Sequence, residues 1–255
     1  MTANRLGFLL GTQPDVRHDA KRAFEFASVN GFHHIELLMD HPKYYFLSYA
    51  EILELKGSYD LEVLIHAPAT FINFLSISKS VRKASYCELE RVLNLAERCD
   101  AKLVTVHLGW NPGFITAKGF VFQPELYEKH NYKVITEEFY VFAKNYGELI
   151  SIENTISGTS VEKALEFLIE NTEVSLTFDA GHNNIRKNEI FLKNFDRVRN
   201  VHLHDNDGSR DTHSTLGTGT VDFSFLRSYK GYATLEVREE KAIIESRNWL
   251  FKFLQ

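Results

Sequence analysis

Histidines and carboxylates recur at one kind of place in this chain. Apolar runs end VLIHAP at His66, VTVHLG at His107, ISIENT at Glu153 and Asn154, and LTFDAGH at Asp179 and His182. Two further runs end VHLHDND at His202, His204 and Asp205, and TLEVR at Glu236; the segment after the former continues through Asp211 and His213. A lone histidine after an apolar strand is most often a hydrogen-bonded structural residue. Six of the eleven histidines share this placement, with carboxylates beside them, and the repetition argues for a site. The other five (His18, His33, His34, His41 and His130) read as surface or packing residues. Glu153, Asp179, Asp211 and Glu236 brought into one partly desolvated mouth repel, and must protonate or find cations. No lysine or arginine ends these strands as a partner, and Arg238, two after Glu236, is a single charge. A divalent cation is the economical counter-charge. Imidazole and carboxylate without thiolate suit Zn²⁺, Mn²⁺, Fe²⁺ or Co²⁺ better than Ca²⁺ or an all-cysteine zinc site.

The elements that must position these groups are short and regular. Eight apolar runs are candidate strands: Leu6 to Leu10, Ile35 to Leu38, Leu61 to Ile65, Leu103 to Val106, Leu149 to Ile152, Val174 to Phe178, Val198 to Leu203 and Ala233 to Val237. Helix-period stripes separate most of them. Val81, Ala84, Leu89, Val92, Leu93 and Ala96 form one; Val134, Ile135, Phe139 and Phe142 form a second; Ile243, Ile244, Leu250, Phe253 and Leu254 close the chain. Eight strands alternating with helices over 255 residues predict an α/β fold, a single (β/α)8 TIM barrel domain spanning residues 1–255. Active sites of such barrels lie at the C-terminal ends of the strands, where the histidines and acids sit. The doubly wound alternative carries a Gly-rich nucleotide loop after its first strand. Here Gly11-Thr12-Gln13-Pro14 follows the first run, with no GxGxxG and no P-loop, so no nucleotide cofactor is expected. Strand parity places His202 and His204 on one side, Glu153 with Ser151, and Asp179 with Thr177 and Ser175, leaving small polar residues facing inward.

Composition bounds the rest. The chain is 44% hydrophobic and 25% charged, which excludes disordered, collagen-like and membrane classes. Lys+Arg 29 against Asp+Glu 34 gives a net charge of −5, against a strongly nucleic-acid-binding surface. Cys87 and Cys99 cannot make a disulfide framework and read as buried or half-buried thiols. The N-terminal run is too short for a signal segment, and no apolar stretch is long enough for a span, so a cytoplasmic setting without membrane partners is expected.

With those residues in view, the chain resembles the xylose-isomerase-like barrel superfamily, which holds divalent-metal sugar isomerases and epimerases and the endonuclease IV type of abasic-site nuclease. The resemblance runs from HIELL to LEVR. VHLHDNDGSRDTHSTLGTGTVDF is its most specific piece; HAPATFIN, VHLGW, IENT and FDAGH fit the earlier strand ends. It implies a central metal (Zn, Mn, Co or Mg) held by Glu153, Asp179, His202 and Glu236, with further ligands at His66, His107, His182, Asp211 and His213. Those nine positions are what a trinuclear zinc cluster requires, while isomerase relatives keep several of them with one metal.

The leading expectation is a metal-dependent isomerase or epimerase of a small sugar-like substrate, with Glu153 and Glu236 as catalytic proton shuttles. His204, Asn154, Glu36 and Trp110 are the expected substrate-binding or neighbouring groups. The alternative is an abasic-site endonuclease or phosphodiesterase with nucleic acid as the less favoured partner. It is opposed by the charge, by scattered basics (Lys43, Lys79, Arg82, Lys118, Arg186, Lys187), and by Asn-Thr-Ile-Ser-Gly after Glu153 in place of an Ala-Gly-rich continuation. A third reading is a non-catalytic metal- and ligand-binding barrel. Relatives of this kind are often dimers or tetramers, so a homo-oligomer is expected, although no residue pattern locates an interface. Three smaller expectations follow. Tyr44, Tyr45 and Phe46 pack a helix. Residues 109–125, with Trp110, Phe114, Phe120 and Phe122, form a lid. The glycines of Gly217-Thr218-Gly219-Thr220 permit a tight turn rather than a phosphate site, and Asp222 caps the next helix.

Overall fold

Short strands rich in branched residues, separated by amphipathic helices, bury both faces only if they share one parallel sheet covered by the helices. The computed structural model, which describes residues 6–117, 119–156 and 160–255, closes that sheet on itself. The barrel strands are β1 (Leu9–Thr12), β2 (His34–Leu38), β3 (Glu62–His66) and β4 (Val104–Val106); β5 (Phe114–Thr116) and β6 (Gly119–Val121) stand apart as an antiparallel hairpin; β7 (Ile150–Glu153), β8 (Ser175–Asp179), β9 (Val198–Leu203) and β10 (Tyr232–Leu235) complete the circle. The barrel strands pair in parallel in chain order, and β10 pairs back onto β1. The expected (β/α)8 fold is therefore present.

Three expectations need correction. The first strand runs Leu9–Thr12 rather than Leu6 to Leu10, so Gly11 and Thr12 lie inside it and not in a turn. Gly11 is required there: a Cβ would come within 2.3 Å of the His34 ring. In the helix Lys79–Arg98, Val81 and Ala84 face solvent, and Arg82, Ser85 and Tyr86 are buried instead. Arg82 can be buried because Glu138 takes two of its N–H groups, at 2.8 and 2.9 Å, and Ser76 O takes a third. Cys87 is exposed, while Cys99 is buried as expected. The other two stripes hold: Val134, Ile135 and Phe139 are buried, as are Ile243 and Leu250. Among the described residues no helix is long and apolar enough to cross a membrane. Residues 1–5, Lys118, Ser157 and Gly158, each used in the sequence reading, lie outside the described residues.

The barrel interior is polar. From the N-terminal end upward, His34 bonds Thr234 at 2.9 Å, Thr234 donates to Asn200 at 3.0 Å, and Thr105 donates to Glu36 at 2.8 Å and reaches Thr177. Ser151 meets Thr177 at 2.7 Å. Interiors of such barrels are usually filled by branched aliphatic side chains. Here small hydroxyls satisfy one another and leave room above them for larger ionisable groups. A register shift between β8 and β9 places one extra residue, the exposed Arg199, and sets His202 directly beside Asp179. Bulges of this kind re-aim side chains next to functional sites.

Candidate metal centre

Five strand ends deliver the centre of the site. His66 ends β3, Glu153 ends β7, Asp179 ends β8, His202 lies one residue short of the end of β9, and Glu236 follows β10. All five are buried. Glu153 is the most heavily contacted. His107 Nε2 lies 2.7 Å and His66 Nε2 3.2 Å from its Oε2, and His202 Nδ1 lies 3.0 Å from its Oε1. The same His202 nitrogen is 3.1 Å from Glu236 Oε2 and 3.9 Å from Asp179 Oδ2. Three carboxylates thus surround one ring nitrogen. On its other side, His202 Nε2 meets Glu36 Oε2 at 2.9 Å. With acids on both nitrogens the ring carries two N–H groups and a positive charge. Burial opposes that charge, but Glu36, Glu153 and Glu236 more than reverse it and raise His202 well above the usual imidazole range. Burial likewise pushes Glu153 and Glu236 up, and the cations around them win, holding both well below the usual carboxylate range.

A second group stands further out, on the start of the helix Ala180–Ile185 and the loop after β9. His182 Nε2 and His213 Nε2 each lie 3.2 Å from Asp211 Oδ2, and His204 Nε2 lies 3.7 Å from Asp211 Oδ1. Backbone carbonyls fix the tautomers: His182 Nδ1 donates to Asn154 O and His213 Nδ1 to Glu236 O, both at 2.9 Å. His66 Nδ1 donates to Ala67 O in the same way. Each bond turns Nε2 toward the cluster, as anchored metal-binding histidines require. Burial lowers His182, but the charges of Asp179, Asp211 and Glu153 outweigh it and take the ring up to about 11. His213 holds a left-handed backbone, φ 44°, and so does Arg238, φ 45°. Such conformations cost roughly 1–3 kcal/mol at side chains of this kind.

The donor set fits a divalent cation. Three combinations bring their ligand atoms within 4.8 Å of one another: Glu153, Asp179, His202 and Glu236; His66, Glu153 and His202; and His182, His204, Asp211 and His213. Glu236 Oε2 and Asp211 Oδ1 are shielded from solvent and make no well-aligned hydrogen bond among the described residues: the His202 N–H, 3.1 Å from the former, is taken by Glu153, and His204 Nε2 is 3.7 Å from the latter. An unpaired buried acceptor costs roughly 1–3 kcal/mol, which a cation would recover. No thiolate is present, so the set is imidazole and carboxylate throughout.

Eight of the nine expected metal-ligand positions fall in these combinations; His107 falls in none, although its Nε2 lies 2.7 Å from Glu153 Oε2, and His204 joins the outer one. The expected substrate contacts do not behave alike. Asn154 is spent on the chain itself: Oδ1 accepts from Asp179 N at 2.7 Å and Nδ2 donates to Asp179 O at 2.9 Å, which clamps β7 to β8 and leaves neither group for a substrate. Glu36 is fully buried beneath His202 and cannot reach the mouth. Trp110 is half exposed at the start of the hairpin segment, its backbone held by Asn73. His204 joins the outer group and also bonds Asp179. Arg238, the single charge noted beside Glu236, does partner that acid: its guanidinium pairs with Glu236 Oε1 while Nε donates to Gln13 Oε1 at 2.9 Å. Gln13 is missed when the first strand is read as Leu6 to Leu10; the strand-end rule finds it once β1 ends at Thr12. Of the smaller expectations, Tyr44 is buried, and Tyr45 lies under the Arg91 guanidinium at 4.1 Å. The amides of Gly217 and Gly219 bond Asp205 Oδ2, at 2.9 Å each, so a phosphate has no free amides to use there. Asp222 accepts from Ser224 N at the start of a short 3₁₀ turn.

The sequence profile of the family described as xylose isomerase-like TIM barrel matches residues 24–253. An uncharacterized protein of Methanocaldococcus jannaschii, MJ1614, is 34% identical over 178 residues, covering 68% of this chain and 67% of that one. The crystal structure of a D-tagatose 3-epimerase-like protein matches with a TM-score of 0.78 at 24% identity, over 97% of both chains. Endonuclease IV from Thermus thermophilus matches with a TM-score of 0.63 at 20% identity, over 95% of this chain and 99% of that one. At such identities the structural likeness speaks for the fold alone. The profile match covers most of the chain, from the first helix to the last, and on that ground the protein belongs to the xylose isomerase-like TIM barrel family.

Proposed function

We propose that this chain is a divalent-metal-dependent isomerase or epimerase of a small sugar or related polyhydroxy carbonyl compound. The observation that carries the reading is the central quartet, in which Glu153 and Glu236 flank His202 Nδ1 at 3.0 and 3.1 Å. Glu153, Asp179, His202 and Glu236 hold the cation in this reading; His66, His107, His182, Asp211 and His213 are further donors. A divalent cation bound there supplies Lewis-acid stabilisation of a developing oxyanion. Glu153 takes the proton from the carbon next to the carbonyl, and the electron pair moves onto the carbonyl oxygen to give an enediolate. In an isomerisation Glu153 returns the proton to the former carbonyl carbon, while the proton of the neighbouring hydroxyl passes to the former carbonyl oxygen; in an epimerisation Glu236 Oε2, ionised at rest, relays a proton from solvent to the opposite face of the same carbon. Arg238 occupies Oε1 of Glu236, so Oε2 is the oxygen left for that step. Glu36 keeps His202 facing the cluster, and Asn154 keeps Asp179 in place.

A second reading, a zinc-dependent phosphodiesterase of the abasic-site endonuclease kind, is favoured by one observation. The donors form three combinations, more than one ion requires, and paired ions suit displacement at phosphorus. The net charge of −5 weighs against a nucleic acid partner, and Arg82 is buried against Glu138 rather than placed to meet phosphates. Proton exchange from D₂O into a panel of ketoses and aldoses, followed by NMR with the chain loaded separately with Mn²⁺, Co²⁺, Mg²⁺ and Zn²⁺, tests the first reading. Nicking of abasic duplex DNA at varied salt tests the second. Exchange without nicking is expected. Nicking with a steep salt slope and no exchange overturns the order, and silence in both assays leaves a binding barrel.

A further inference from the structure

One histidine of the outer combination also reaches into the central quartet. His204 is fully buried at the end of β9. Its Nε2 lies 3.1 and 3.2 Å from the two oxygens of Asp179, a member of the central quartet. Its ring stacks on His213, a member of the outer group, with centroids 4.0 Å apart and planes 15° apart. No carbonyl anchors its Nδ1, which has no partner among the described residues, in contrast to His66, His182 and His213. Against an acceptor-only carboxylate Nε2 carries a proton and donates to Asp179. The chain makes space for this ring. Gly181 sits inside the helix Ala180–Ile185, where alanine is favoured by about 1 kcal/mol. A Cβ at Gly181 would fall 2.0 Å from His204 Cε1.

We propose that His204 is a positioning residue that ties the two donor groups together. Its N–H sets the Asp179 carboxylate, and its ring face sets His213. The assignment rests on the reading above that both groups hold divalent cations. It also makes the two ions cooperative, because filling either group fixes a residue shared through His204.

Titration of the metal-free chain with Mn²⁺ alone, by calorimetry and by the EPR signal of free Mn²⁺, reads this directly. His213→Ala identifies which class of sites is the outer one. His204→Phe keeps a ring against His213 and loses the N–H; it is expected to weaken the central class about tenfold or more and spare the outer class. His204→Gln keeps an N–H and loses the ring, and is expected to do the reverse. Gly181→Ala pushes the ring from behind without changing it and is expected to weaken both classes. Circular dichroism checks that each variant folds. Equal weakening of both classes by Phe and Gln, in step with a lower Tm, makes His204 a space-filler and overturns the proposal, as do unchanged affinities. A wild-type chain that binds Mn²⁺ with unaffected variants sinks this assignment alone. A wild-type chain that binds no ion sinks the metal reading and this proposal with it.

Discussion

The central and outer donor groups share a mouth but are built differently. The central acids and His202 come from β7, β8, β9 and the residue after β10, elements held by parallel pairing with one bulge between β8 and β9. The outer group comes from one short helix and one long loop, and its His213 holds a left-handed backbone. Beneath the centre lies a column of satisfied hydroxyls and a dedicated carboxylate, Glu36; beside the outer group the ring of His204 stacks on His213. The two groups offer four donors each, so density of donors does not tell them apart; the rigidity of the elements that carry them does.

The sharpest way to break the comparison is to remove one donor from each group. Glu153→Gln is expected to lower proton exchange by about 10²–10⁴-fold, the usual worth of a general base, with an unchanged circular dichroism spectrum. His213→Ala is expected to cost far less. Equal losses would show that the outer group shares the chemistry, which the phosphodiesterase reading requires. Next in size is Glu36→Gln. Loss of the carboxylate under His202 should weaken the central ion about 10–100-fold while leaving the outer ion as it was. Weakening of both ions would mean that the polar column supports the whole mouth.

Acidity sharpens the comparison further. His202 in the centre and His182 outside both keep a proton through neutral pH, the latter up to about 11. An entering cation has to displace that proton, so binding releases protons and strengthens as pH rises. One proton per ion corresponds to about tenfold in affinity per pH unit, since a tenfold change in proton activity enters the equilibrium once. Calorimetry in buffers of different ionisation enthalpy counts these protons. A central class that releases none would show that His202 Nδ1 is not where the cation competes.

Much of this arrangement was legible in the sequence, for identifiable reasons. Barrel strands announce themselves as short aliphatic runs, and barrel chemistry collects at their ends, so the histidines and acids could be placed before any side-chain contact was known. What escaped were features decided by tertiary packing. Gly11 looks like a turn, yet it is a strand residue making way for His34. Asn154 looks like a mouth residue, yet it is consumed by the Asp179 backbone; Glu36 reaches the site as an outer group, from beneath His202 and not toward a substrate. The β5–β6 hairpin hides in a Gly- and Phe-containing stretch that carries no alternating pattern. It leaves Phe114, Ile115, Phe120 and Phe122 exposed, and no described contact seats it over the donors as a lid. Arg238 pairs with Glu236 from a left-handed backbone, a conformation that no spacing rule foretells.

The smallest expected effect tests whether the outer group depends on its loop as the centre depends on its strands. Asp205 holds that loop: its two carboxylate oxygens accept from the amides of Asn206, Gly217, Gly219 and Val221, at 2.9 to 3.1 Å. Asp205→Asn replaces an acceptor-only group by one whose NH₂ faces amides, so about two of those bonds are lost. A cost of roughly 1–3 kcal/mol in stability follows, read as a lower Tm. The loop carries Asp211 and His213, whereas the central quartet does not pass through it. The outer ion should therefore weaken severalfold and the central ion should hold. If the central ion weakens as much, the loop and strands form one cooperative unit, and the contrast between a rigid centre and a loop-borne outer group disappears.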